Sequence, residues 1–201
     1  MVNKNQIISQ IKKIVKRDMQ KHKYHNYKHA LFVYKMVSIY GPLEKIKPND
    51  LFLLKIAALL HDVIYVPFRK DNEIKSAVFA SKLLSKLNFN LEDISIVKQL
   101  IIATTFPTNA KTKLEQIICD ADISVVGCDN YFKVTEQLRK EWGLSKKDFF
   151  VKNQSSFFNN FKWYTPSANK LGRKHFLKNK KQVFKIIKSY SKWYQRTLIE
   201  A

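Results

Sequence analysis

Apolar residues recur every three or four positions along almost all of this 201-residue chain, and that period leaves little room for anything but helices. No stretch alternates apolar and polar residues beside an Asn-Gly or Asp-Gly turn, as a hairpin would. The chain has only 4 Gly and 5 Pro, too scattered to form a linker. The spacing predicts helices over 4–19, 26–40, 49–62, 72–88, 91–105, 112–126, 129–142, 146–160 and 179–198. Gly41-Pro42 is expected to end the second helix and Pro48-Asn49-Asp50 to start the third, with Pro67 in the loop after it. The fold class is therefore all-α, a bundle of about eight to nine helices.

Hydrophobic residues make up 45% of the chain, enough for a sizeable core, and the length suits a single domain over 1–201. The N-terminal Met1-Val2-Asn3-Lys4 lacks the apolar core of a signal peptide. The longest apolar stretch, from Leu51 to Leu60, is interrupted by Lys55 and is too short to span a bilayer. Cys119 and Cys128 do not stand at metal-ligand spacing. A cytoplasmic protein without a membrane span is expected.

The formal net charge is +21, a field that attracts nucleotides, nucleic acid and other phosphate-bearing partners. Of the 37 basic residues 32 are Lys, and Asn and Ile are also abundant, so a coding bias toward A/T-rich codons is the plainer source. The last helix sets Val183, Phe184, Ile187, Tyr190 and Tyr194 on one stripe and lysines opposite, either a basic contact face or a solvated one. Phe149, Phe150, Phe157, Phe158, Phe161, Trp163 and Tyr164 are either core or an aromatic surface for nucleic acid.

Polar, metal-capable residues interrupt the apolar stripes of four helices. His25 and His29 share a face with Val33, Met36 and Tyr40. His61-Asp62 closes a helix whose inner line runs through Leu54 and Ala58. Asp122 aligns with Ile118 and Val125, whereas Asp120 falls nearer Gln116 and Ser124 and suits a supporting role. Asp71 suits a helix cap, while Glu73 aligns with Ala77, Ala80 and Leu84. Any one of these could be a core histidine bonded to a carbonyl, or an exposed acid. Taken together they supply imidazole nitrogen and anionic oxygen, the donors a divalent ion takes.

The order His29, His61-Asp62, Asp122 resembles the H…HD…D signature of the HD-domain metal-dependent phosphohydrolases. The segments Tyr24-His25-Asn26-x-x-His29, His61-Asp62-x-x-Tyr65, Asp71-Asn72-Glu73-x-x-Ser76-Ala77 and Asp120-Ala121-Asp122 resemble a subgroup of predicted HD hydrolases, as do Arg139-x-Glu141-Trp142 and Tyr164-Thr165. The likeness spans roughly residues 20–178. It implies an HD-like core over about 20–130 with helices of 130–198 packed on it. It also implies one divalent ion (Mn, Mg, Co, Ni or Fe rather than Zn) on His29, His61, Asp62 and Asp122. Asp62 and Glu73 are the implied catalytic residues, with His25, Asn26 and Arg139 on substrate phosphate. The implied substrate is a small phosphoester, a nucleotide by default. Many relatives carry a further His after a segment like Ile101-Ile102-Ala103-Thr104, and Thr105-Phe106-Pro107 follows here instead. This favours one metal over two and leaves two rivals, a catalytically silent ligand sensor and a nucleic-acid binder on an HD scaffold. Oligomeric state is not legible in the sequence.

Overall fold

The computed structural model describes residues 3–19 and 22–199, with side chains described as far as residue 190. Its regular elements are α1 (Lys4–Asp18), α2 (Tyr27–Leu43), α3 (Pro48–Leu60), α4 (Asn72–Lys86), α5 (Leu91–Ala103), α6 (Lys113–Asp122), α7 (Tyr131–Glu141), α8 (Lys146–Asp148), α9 (Ser155–Asn160) and α10 (Pro166–Ile199). A 3₁₀ turn, Ser124–Gly127, follows α6, and a π turn, Phe149–Gln154, joins α8 to α9. Among the described residues no strand occurs, and no helix is long and apolar enough to cross a membrane.

The centre of the bundle is α3, which touches α1, α2, α4, α5 and α6. Leu53, Leu54, Ile56, Ala57, Ala58, Leu59 and Leu60 are all fully buried, so α3 is apolar on nearly every side. Burying each Leu or Ile contributes roughly 1.5–3 kcal/mol. The short apolar run of the sequence is thus a core helix, and it carries His61-Asp62 at its end.

Several helix ends differ from the sequence expectation, among them that of α6, which stops at Asp122 rather than 126 and gives way to the 3₁₀ turn. Pro42 lies inside α2, which continues to Leu43. A proline in the last turn removes only one backbone donor, and the stop comes from Lys45 at φ 58°. There Lys45 N–H donates to Pro42 O and Ile46 N–H to Gly41 O, the paired bonds of a Schellman cap. The last helix begins at Pro166, well before residue 179. Thr165 caps it, with Ala168 N–H donating to its Oγ1 at 3.3 Å, and Pro166 occupies the first helical position. Along α10 Val183 is buried and Phe184, Ile187 and Tyr190 are partly buried; the Tyr194 side chain lies outside the described residues.

A second apolar cluster joins Val125, Val126, Tyr131, Phe158 and Val183, with Phe150, Phe157, Phe161 and Phe176 packed on it. Phe32 and Trp163 touch both clusters and weld α10 to the bundle. The rings suggested as a nucleic-acid surface are therefore largely interior: Phe149 and Phe158 are buried, Phe150, Phe157, Phe161 and Trp163 pack on the cluster, and Tyr164 is partly buried with its OH bonded to Thr108. α10 crosses the 3₁₀ turn closely, since a Cβ on Gly127 would stand 2.7 Å from Gly172 Cα.

Candidate metal centre

Three elements deliver the four side chains expected as ligands. Asn26 caps α2: its Oδ1 accepts from Lys28 N–H at 2.8 Å and His29 N–H at 3.4 Å, and its Nδ2 donates to His22 O and Lys23 O. That cap holds His29 in the first turn of α2, on the buried side with Ala30 and Val33. His61 and Asp62 follow α3 directly. Asp122 is the last residue of α6.

These side chains converge. His29 Nε2 stands 3.0 Å from Asp122 Oδ1 and 3.4 Å from Asp62 Oδ2. His61 Nε2 stands 3.0 Å from Asp62 Oδ2, 3.3 Å from Asp122 Oδ1 and 3.2 Å from His29 Nε2. One ligand atom from each of the four residues lies within 4.8 Å of every other. His61 Nδ1 is 2.9 Å from Ala58 O. A carbonyl brings no proton, so Nδ1–H donates, which leaves Nε2 facing the cluster, as N–H when the ring is protonated and as a lone pair when it is neutral.

The electrostatics demand positive charge here. Burial alone would push Asp62 up, but the His61 and His25 imidazoles, with hydrogen bonds from His29 and His61, hold it well below the usual carboxylate range. Asp122 is held down at about 2 by His61 and by bonds from both histidines, again against burial. Burial would lower His29 and His61, yet the two aspartates raise both. Protons on the imidazoles can supply the charge, and so can a divalent cation. The donor set fits a cation: ligands held about 2.1 Å from one ion in neighbouring positions stand about 3 Å apart, close to the spacings found.

The loop between α3 and α4 is stapled by residues of the Asp71-Asn72-Glu73 segment. Asn72 Oδ1 accepts from Val66 N–H, and its Nδ2 donates to Val66 O and Arg69 O. Ser76 Oγ accepts from Ile64 N–H and donates to Ile64 O. Asp71 sits at the cap position but makes no cap bond; its carboxylate pairs with Arg69 and Lys75. Glu73 remains half-buried, and burial together with the nearby Asp62 and Asp122 charges raises its pKa.

Of the residues expected on substrate phosphate, His25 lies beside the cluster, with its ring 5.9 Å from that of His29. Its Nδ1 bonds to Glu141, whose other oxygen accepts from Tyr24 and His25 backbone N–H. Its ring stacks on Tyr65 at 3.6 Å, and Tyr65 OH accepts from Trp142 Nε1. Asn26 is spent on the cap. Arg139 is spent on Glu136, at 2.8 and 2.7 Å, and on Leu144 O. Asp120, expected on a more polar side, is fully buried. It accepts from Tyr164 N–H, Thr165 N–H and Thr165 Oγ1, and so pins the start of α10 to the helix that carries Asp122. Sequence reasoning assigned no role to Glu141 or Tyr65; Glu141 lies 116 positions from His25, and no local signal pairs them.

This all-helical bundle with a His/Asp cluster at its centre belongs to a known class. Residues 26–124 match the HD domain family, and the chain is an HD-domain protein. Its fold is shared by Bacillus subtilis YpgQ, solved in complex with ADP, at 19% identity and a TM-score of 0.65 over 90% of this chain and 97% of that one. A second YpgQ crystal structure superposes with a TM-score of 0.67 at 17% identity, covering 94% of this chain and 96% of the other. A predicted HD superfamily hydrolase from an uncultured Thermotogales bacterium matches at 19% identity and a TM-score of 0.59 over 99% of both chains. A search of curated proteins found no match.

Proposed function

We propose that this chain is a metal-dependent phosphohydrolase acting on a nucleotide or another small phosphorylated metabolite. The observation that carries the reading is the meeting of two imidazole nitrogens and two carboxylate oxygens within 4.8 Å, drawn from segments far apart in sequence. His29 and His61 would give Nε2 lone pairs to one divalent ion, and Asp62 and Asp122 would give anionic oxygens. Mixed nitrogen and oxygen donors suit Mn, Mg, Co, Ni or Fe better than Zn, and leave positions for water and substrate in a six-coordinate shell. When bound, such an ion lowers the pKa of water and offsets charge on the phosphoryl oxygens.

The chain's own groups do the rest. Asp62, with Oδ2 3.0 Å from His61 Nε2 and 3.4 Å from His29 Nε2, would share the ion with both imidazoles, while Ala58 O holds the His61 ring through Nδ1. Glu73, half-buried and raised in pKa by burial and by the Asp62 and Asp122 charges, would take a proton from the attacking water. His25, held by Glu141 and Tyr65, presents a fixed ring at the rim for a phosphate oxygen or the leaving group. The shared fold of YpgQ, a structure of which holds ADP, supports a nucleotide as substrate.

The test is metal analysis of the purified protein with a phosphoester screen, before and after chelation, alongside His61→Ala and Asp62→Ala. Hydrolysis should need the ion and vanish in both variants. Full activity in the metal-free protein would overturn the proposal. So would a metal-loaded protein inert toward the whole panel yet stabilised by one nucleotide, the behaviour of a ligand sensor.

A further inference from the structure

Among the described residues three that are not glycine take positive φ: Lys45, Phe68 and Asn88. Lys45 and Asn88 follow the ends of α2 and α4, where that conformation closes a helix. Phe68 closes no helix. It stands third in the turn Val66-Pro67-Phe68-Arg69, where Arg69 N–H donates to Val66 O at 3.2 Å. Proline in second place and a φ of 64° in third define a type II turn, whose third place favours glycine or asparagine. A phenylalanine there is strained, and burial does not offset the strain, because the side chain is 71% exposed. The turn is nevertheless fixed. Asn72 bonds to Val66 N–H, Val66 O and Arg69 O, and Arg69 pairs with Asp71. The neighbouring Trp142 ring lies 6.3 Å away at 40°, a tilted approach that leaves most of Phe68 in the open.

Strain held at a rigid, exposed ring points to a binding role, and the position of the ring indicates for what. Phe68 follows Asp62 by six residues, so their Cα atoms are at most about 20 Å apart. Side chains connect them as well: Trp142 beside Phe68 donates to Tyr65 OH, Tyr65 stacks on His25, and His25 meets His29 edge-on. Phe68 is thus the outer end of an aromatic path that starts at the cluster. Val66, also exposed, extends the apolar rim. A second copy of the chain is a poor occupant, because a net charge of +21 repels its like. We propose that Phe68 is a specificity-determining residue whose ring stacks on a planar aromatic group of the substrate, a nucleobase or an aryl group, while the phosphate lies at the cluster. An immobilised ring loses little freedom on contact, so nearly all of the stacking energy goes into binding. The proposal rests on the phosphohydrolase reading for the word substrate, whereas the stacking itself is measurable without turnover.

The experiment is calorimetric titration in Mn²⁺ with two pairs of probes, AMP against ribose 5-phosphate and phenyl phosphate against methyl phosphate. Within each pair the phosphate is shared and the flat ring is the difference. The wild-type protein is compared with Phe68→Gly and Phe68→Tyr. In at least one pair the ring-bearing probe should bind on the order of tenfold more tightly. Phe68→Gly should lose that preference and keep its affinity for the ringless probe. Its melting temperature should hold or rise, since glycine takes the third place of the turn without strain. Phe68→Tyr should retain the preference. A Phe68-dependent preference in the AMP pair alone assigns the contact to a nucleobase, in the phenyl pair alone to an aryl ester, and in both to any planar group; each upholds the stacking. No preference in either pair, a full preference in Phe68→Gly, or equal losses for the two members of a pair overturns it. So does self-association that Phe68→Gly abolishes while probe binding stays unaltered, which would make the ring a contact between copies. If the phosphoester screen fails while the ring preference depends on Phe68, the hydrolase reading falls and the stacking site stands.

Discussion

At the scale of single residues, the cluster sets a pH dependence whose sign follows from its pairings. His29 and His61 titrate above the ordinary histidine value of about 6.5, and Asp62 and Asp122 below the ordinary aspartate value of about 3.9. In metal-free protein the histidine contribution to stability is complete below about pH 6.5 and is lost as pH rises through the folded values. The aspartate contribution is complete above about pH 3.9 and is lost as pH falls through theirs. A divalent ion competes with the imidazole protons, so it binds better as pH rises. Scanning calorimetry should therefore find that Mn²⁺ raises the melting temperature more at about pH 8 than at about pH 6. A metal-induced shift equal at both would count against these four residues as the ligands.

At the scale of elements, helix ends decide where the four clustered side chains stand. Asn26 makes four hydrogen bonds around the start of α2, one of them to the His29 backbone. Asn26→Ala should cost about 1–2 kcal/mol, or several degrees in melting temperature, and should also weaken metal binding because His29 sits in the frayed turn. Melting curves and a metal titration on one preparation check both; a loss of stability with unaltered metal affinity would show that the cap does not position the ligand. The start of α2 was nearly legible, since Asn26 stands where the apolar stripe begins. The start of α10 was legible in principle, through Thr165-Pro166. It was hidden because Gly172 and the polar residues around it weaken the periodic pattern over 166–178. The π turn within the expected 146–160 helix has no local signal, because Phe149 and Phe158 are drawn into the interior by neighbours distant in sequence.

At the scale of the whole molecule, α10 is tied twice to the stretch around Asp122, through Asp120 in α6 and through the crossing at Gly127 in the 3₁₀ turn. A methyl group on Gly127 would meet Gly172 Cα at 2.7 Å and its carbonyl oxygen at 3.1 Å, backbone atoms that cannot turn aside. Gly127→Ala should therefore destabilise by about 1–3 kcal/mol. Well below the melting temperature its metal content should match that of the parent protein, since Gly127 is none of the four clustered residues; thermal denaturation and metal analysis give the two readings. The amino-acid sequence by itself determined the helical class, because the apolar period is a local property, and it marked His29, His61, Asp62 and Asp122, because a polar residue on an apolar stripe must find compensation inside. Tertiary structure alone decided which partners each polar residue found. Glu141 went to His25, Asp120 to the start of α10, Asn26 to a cap and Arg139 to Glu136. Hydrogen bonds and charges act over a few ångströms, and only folding brings residues a hundred positions apart to that distance.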